Sequence, residues 1–460
     1  MHKRMQRKGK SPSLIGKAAA VAGDHRGVPE SRGTGRYAIE AFEQRILLSN
    51  YSLSTLGLFG SNQTGERPMS GPTLDAAGNL YGTTSLGGAF GRGTVFEVPH
   101  GSSTMTTLAS FPKGVGEIGV GYGSGPAPLV RDQSGNLYGL VAGNTIFELP
   151  AGSSTIDLLA SFGPTLPVQV PSQQLVLDPN GNIYGVFSGS RGGVFELPHG
   201  SSAIAVLASF NASTVGYTPE ALVEDGSGNL FGTTQNGGSG QRGALYEIPH
   251  NSSTITTLVS FDGGINGGSP SGLIFDGGGN LFGITQLGGA NATGTVFELP
   301  HGGSSIVALA QNGGSSSELN MDPSGNIYYS WSTDFNDMDT GAVLEISHVN
   351  YASTTVASFK GEDGPQGIAL DGGGNIFGVT TAGGTYGNGT VFRIASGSDA
   401  VSTVATFGYV LGSDDLTTPI VDSSGNLLGM TDAQQVPGGE YGTVGGVFEV
   451  PSGASSARLA

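Results

Sequence analysis

The 460-residue chain contains no cysteine. Disulfides, thiolate-bound zinc and cysteine nucleophiles are excluded together. Charged residues fill only 12% of positions, about half the usual share for a soluble domain, so the surface must be made largely of Ser, Thr and Gly. Positive charge is scarcer still, and ten of the 19 Lys/Arg fall within residues 1–45, leaving nine against 32 Asp/Glu in the rest. So acidic a body repels phosphate backbones, which excludes nucleic acid as its partner. No apolar run reaches the 18 residues of a membrane-spanning helix. The longest candidate, Leu14 to Gly23 (LIGKAAAVAG), is short, interrupted by Lys17 and a poor secretory signal. No 3.6-residue apolar period persists after residue 50, so helices are not expected there. Without helices, a serine elbow between strand and helix has no place either.

What the chain has is glycine, 82 of it, together with 21 Phe and 14 Tyr at regular positions and a 37% hydrophobic content. A disordered chain carries fewer large apolar residues than this. The length exceeds what one compact core fills, which points to several domains or a repeat array. Self-comparison selects the array. Asp-x-x-Gly-Asn-(Leu/Ile) occurs eight times, beginning at Asp75, Asp132, Asp178, Asp225, Asp276, Asp322, Asp371 and Asp422, with spacings of 57, 46, 47, 51, 46, 49 and 51 residues.

Each unit repeats four strand signals in one order, as in Leu273 to Phe275, Asn280 to Thr285 (NLFGIT), Thr295 to Leu299 (TVFEL) and Ser304 to Ala310. β-Branched and aromatic residues fill these runs, and Gly, Pro, Asn and Asp separate them. The fourth strand closes on Ser-Phe in most units, at Phe111, Phe162, Phe210, Phe261 and Phe359. Four-stranded units set radially make a propeller. The expected fold is therefore all-β, an eight-bladed β-propeller with four antiparallel strands per blade. Tyr51 to Phe59 (YSLSTLGLF) reads as a fourth strand without its first three, and the last unit stops after Val447 to Val450 (VFEV). The N-terminal strand should complete the last blade and close the ring. Residues 51–460 form the propeller in this reading, and residues 1–50 a basic, disordered tail.

The run from Leu370 to Ile394 (LDGGGNIFGVTTAGGTYGNGTVFRI), closed by Val404 to Phe407, resembles the GloVer tandem repeat of choice-of-anchor proteins of planctomycete and verrucomicrobial type. The likeness recurs from about residue 51 to 460. It implies a surface or secreted repeat protein and supplies no catalytic residues. Phe42 to Ser49 (FEQRILLS) resembles the LEPR-x-LL export motif, with Phe42 for Leu and Gln44 for Pro.

The eight Asp-x-x-Gly-Asn elements offer hard oxygen ligands, so calcium is the one cation they suit, but each brings one carboxylate and lacks the alternating acids of a calcium loop. The physical reading is a structural turn at Asp75, Asp132, Asp178, Asp225, Asp276, Asp322, Asp371 and Asp422, with Asp accepting backbone N–H bonds and Gly taking positive φ. No cofactor is expected, and metal binding is left open. Five histidines, His100, His199, His250, His301 and His348, recur just after the third strand. A group repeated around a ring is a turn element rather than an active site, bonding within the turn or to the Glu three residues earlier. The Gly-Gly loops after the second strand lack the Gly-Lys-Ser/Thr ending of a phosphate loop.

Variation is confined to one face, where strands two and three, and successive blades, are joined. The sixth unit stands apart there, with Tyr328 to Gly341 (YYSWSTDFNDMDTG) in place of Gly-Gly. It carries the single tryptophan, Trp331, with Asp334, Asp337 and Asp339, an aromatic beside carboxylates suited to a sugar or a cation. The alternative is a drifted loop whose Trp packs locally. The expectation is a monomeric, non-enzymatic, extracellular or cell-surface module that binds carbohydrate or protein. The competing expectation is a carbohydrate-active or quinone-dependent enzyme with its site at the mouth of the central channel, marked by inward residues that differ from blade to blade. Near-uniform blades argue against it.

Overall fold

The computed structural model describes residues 54–58, 66–68, 72–102, 104–113, 129–141, 145–162, 168–189, 192–311, 318–332, 340–360, 364–380, 383–384, 389–406, 418–431 and 446–452. Blade five shows how the local sequence dictates a strand order. Gly268–Phe275, Leu281–Leu287, Thr295–Leu299 and Val307–Ala310 pair antiparallel in succession. The Asp276 turn joins the first two, and Pro300, which has no N–H to give to a ladder, ends the third. Eight such sheets follow one another, and in blade one the innermost strand is split into Glu66–Pro68 and Thr73–Leu74, both paired to Leu80–Leu86. No helix occurs among the described residues, and none is long and apolar enough to cross a membrane.

Closure is direct. Ser54–Leu58 lies antiparallel on Gly446–Val450, with Ser54 opposite Glu449 and Leu58 opposite Gly446, as the fourth strand of blade eight. Buried side chains gather into eight clusters, each shared by two consecutive blades. The eighth joins Leu428, Met430 and Val447 of blade eight to Leu80, Phe96 and Val98 of blade one. A ring sealed at every interface is the eight-bladed β-propeller expected from the repeat.

In five units the closing Phe has its partner in the next blade. Phe111 meets Phe147 edge-on at 5.0 Å and Phe162 meets Phe195 at 4.9 Å, with similar contacts at Phe210–Tyr246, Phe261–Phe297 and Phe359–Phe392. The third-strand ring needs room, and a glycine of the second strand provides it: a Cβ on Gly82 would lie 2.6 Å from Phe96 Cζ, and one on Gly139 2.7 Å from Phe147 Cε1. Blade six reverses the pair, with Tyr329 opposite Leu344.

Candidate functional site

The repeated turns make one face of the ring. Asp75 Oδ1 accepts the backbone N–H groups of Ala77 and Asn79, both at 2.9 Å, and Oδ2 accepts Asn79 Nδ2 at 3.0 Å. Asn79 Oδ1 in turn accepts the backbone N–H of His100 at 2.9 Å, tying the first turn of the blade to its second. This last bond recurs in all eight blades, from His100, Ala151, His199, His250, His301, His348, Ser396 and Ser452. Because the donor is main chain, the side chain there is free to vary. The His100 ring donates from Nδ1 to the Ala77 carbonyl at 3.2 Å, and Nε2 stands 3.7 Å from Asp422 Oδ2 of blade eight. The expected pairing of this histidine with the Glu three residues earlier is not made.

That Glu is engaged by tyrosine instead. Tyr81 O–H lies 3.2 Å from Asp75 Oδ2 and 3.1 Å from Glu97 Oε1, and Tyr138 bridges Asp132 and Glu148 in the same way. One phenolic proton serves two carboxylates. Burial, then the charges of Glu345 and Asp322, push the Tyr328 hydroxyl up to about 12, so it stays protonated and donating. Burial tends to raise the Asp75 carboxyl, but bonds from the Asn79 main chain and side chain, Ala77 and Tyr81 outweigh it and hold the group below its ordinary range. Asp132 is lowered likewise, its bonds to Asn136 leading. A depressed folded pKa supplies stability above the unfolded carboxylate range that is lost as pH falls through the folded value. Asp75→Ala should cost about 1–3 kcal/mol at neutral pH by orphaning these donors. Thermal melts should show the difference from the parent shrinking in acid and indifferent to added calcium; a calcium-dependent difference would make the turn a metal site.

The opposite face is chemically different. Four of the ten exposed large apolar side chains among the described residues, Phe90, Tyr217, Ile265 and Leu287, lie there, with Ile265 63% exposed. Leu158, Val206, Val307 and Val401 sit on outermost strands, and Val349 and Tyr351 in the blade-six turn on the repeated face. The Gly-Gly loops are compact hairpins: Gly288 and Gly289 take positive φ, and Gly289 donates to Gly264 of the preceding connection.

Strand one of each blade is innermost. At the level four residues before the turn aspartate, Thr418 Oγ1 of blade eight donates to Glu318 Oε1 of blade six at 3.0 Å, past Gly367 of the blade between them. Side chains from non-adjacent blades therefore meet at the axis. Glu318 keeps solvent contact but is closely surrounded, and desolvation raises its pKa with the Thr418 bond opposing. At this level three successive blades carry Glu318, Gly367 and Thr418, whereas the turn aspartates are the same in every blade. One residue earlier, toward the variable face, blades four and five carry Glu220 and Ser271. Aligning the repeats at this position was the signal available and unused.

Trp331 does not stand in a loop. It belongs to strand Ile327–Ser332, opposite Ala342, and packs half-buried on the cluster between blades five and six. The equivalent position lies within the second strand of the other blades too, as at Thr84, Thr234 and Thr285, so the ring of Trp331 has a neighbouring blade to pack on. Asp334, Asp337 and Asp339 lie outside the described residues, as does the export-like motif at residues 42–49.

Residues 171–364 match the family model described as the Gloeobacter/Verrucomicrobia repeat. No curated protein matches the chain in sequence. Among solved structures, the Dos1 propeller aligns at 11% identity over 88% of this chain and 97% of its own, with a TM-score of 0.58. Sqt1 of Saccharomyces cerevisiae aligns at 12% over 88% and 100%, with a TM-score of 0.53. A puromycin-hydrolyzing peptidase of Mycobacterium tuberculosis aligns at 13% over 82% and 62%, with a TM-score of 0.50. Such identities speak to fold alone. The repeat whose resemblance the sequence carried is thus the Gloeobacter/Verrucomicrobia repeat, matched over residues 171–364 and built into a β-propeller.

Proposed function

We propose that the propeller is a non-catalytic binding module, exported to the cell surface or medium, that holds extracellular carbohydrate or protein on its variable face. The observation that carries this reading is the division between the faces. On one, the repeated polar groups are engaged with each other, Asp to turn to Asn to the next turn, and the exposed apolar side chains Val349 and Tyr351 are confined to the blade-six turn. The other presents Phe90, Tyr217, Ile265 and Leu287 to solvent beside polar loop residues, the mixture of apolar anchor and hydrogen-bonding rim used in recognition.

The full chain, screened against a printed glycan panel and insoluble polysaccharides, should bind at least one, and Ile265→Ser/Leu287→Ser should weaken it about tenfold or more, the loss of two apolar contacts. Equal affinity in that variant, with loss from Val349→Ser on the turn face, would place the contact on the wrong side of the ring. The competing reading, an enzyme at the channel mouth, requires the bound glycan to be recovered chemically altered.

A further inference from the structure

We infer that the mouth of the axial channel on the variable face, between the innermost strands of blades four and five, is a carbohydrate-binding site centred on Glu220 and Ser271. The inference rests on the binding reading above and narrows it to one ligand class and one place.

Glu220 and Ser271 each lie five residues before their turn aspartate, on the neighbouring innermost strands Tyr217–Glu224 and Gly268–Phe275. This is one step toward the variable face from the level where Glu318 and Thr418 close on each other. Both strands are irregular here: pairing shifts between Pro219 and Leu222 in one and between Ser271 and Leu273 in the other. A bulge turns side chains out of the regular alternation and is a common device beside binding sites. Elsewhere on these strands the alternation is spent on packing, with Leu222 and Leu273 buried in the inter-blade clusters.

Both groups are left wanting. Glu220 is half-buried, and no hydrogen bond or ion pair to it is found among the described residues, so burial alone raises its pKa. Ser271 is 2% exposed, and its buried Oγ has no partner among them either. A half-buried carboxylate and a buried hydroxyl without partners among the described residues are costly beside turns that satisfy their polar groups so thoroughly. Above them the backbone is strained at one repeat position in both blades. Thr218 and Ser269 hold φ of 60° and 53°, in the left-handed region where glycine is expected. Tyr217, 48% exposed, stands at the start of the first strand beside Asn236, its cross-strand neighbour.

The chemistry on offer is an anionic acceptor, a hydroxyl, an amide and an exposed aromatic ring. A ring face stacks on the C–H face of a pyranose, and a carboxylate takes the O–H donors that a sugar supplies in pairs. A phosphate or acidic ligand is repelled by Glu220 and Glu318. A bare cation would use the carboxylate and leave the tyrosine ring without purpose.

The test uses the full chain with Glu220→Gln and Tyr217→Ala, assayed on the glycan and polysaccharide panel and by calorimetric titration with cellobiose, maltose, lactose and xylobiose. Saturable binding of at least one of these sugars by the parent is expected, weakened tenfold or more in both variants. The melting temperature of Glu220→Gln should equal or exceed the parent value, because the substitution removes a half-buried charge; binding lost with stability kept separates a ligand role from a structural one. Parental affinity in both variants, no sugar bound by the parent, or a titration that follows calcium or ammonium instead of sugar would each overturn the site. If Ile265→Ser/Leu287→Ser loses binding while Glu220→Gln keeps it, the site fails and the variable-face reading stands. If all these variants bind as the parent does, the variable-face reading fails too.

Discussion

Removing residues 51–59 should lower the melting temperature by about 5 °C or more. The segment contains Ser54–Leu58, whose pairing with Gly446–Val450 supplies the last strand of blade eight. Without it Val447, Phe448 and Val450, all at most 2% exposed, lose their lateral cover, and a bare strand edge appears at the joint of the ring. Each such side chain is worth roughly 1.5–3 kcal/mol when fully buried, so partial loss at several amounts to roughly 4–6 kcal/mol. Spread over some 400 residues at about 2.1 cal/mol/K each, that corresponds to the stated shift. Scanning calorimetry reads it, and an open edge should also promote association at higher concentration. An unchanged melting curve would mean that the ring holds by its eighth cluster alone.

The second large effect is expected where blade six departs from its siblings. In the other seven, glycine of strand two faces an aromatic of strand three, and the ring occupies the volume a side chain would take. In blade six Tyr329, fully buried, faces Leu344. The volume is conserved while its source changes strands. Tyr329→Gly should therefore cost about 3–5 kcal/mol, as large-to-small core changes do. Tyr329→Gly/Leu344→Phe should recover part of this, with a coupling energy of about 1–3 kcal/mol in a double-mutant cycle read by denaturant unfolding. The mirror experiment, Gly82→Ala, forces a Cβ to within 2.6 Å of Phe96 and should cost about 1–3 kcal/mol by overpacking. Additive single effects would show that the two positions do not share one space.

These two results bear on what the sequence could disclose. Blade number, strand order, the turn aspartates and the N-terminal clasp were legible because each is written locally and repeated, so a fixed offset from Asp to Phe stands out without any knowledge of three dimensions. The exchange at Tyr329 and Leu344 was legible only in principle. It needs the knowledge that Tyr329 of strand two lies opposite Leu344 of strand three, which is a fact of register. The tyrosine bridge from Asp75 to Glu97 was hidden for a related reason: its members are spread over 22 residues and meet only after three strands have paired. Trp331 reads as a loop residue because acidic residues follow it, whereas it lies within the second strand, where the ring packs on the cluster between blades five and six. Glu220 and Ser271 escaped because a polar residue in a short apolar strand looks like noise until its neighbours around the axis are seen together.

The direction of the closing pair carries a mechanical consequence. Ser54 lies opposite Glu449 and Leu58 opposite Gly446, so the two strands enter and leave the sheet on the same side. Tension applied between the ends of the chain would load their hydrogen bonds one after another, in peeling, instead of all at once in shear. A molecule held by both termini would come undone at low force from this single place, while one tethered by either terminus alone would feel no load across the joint.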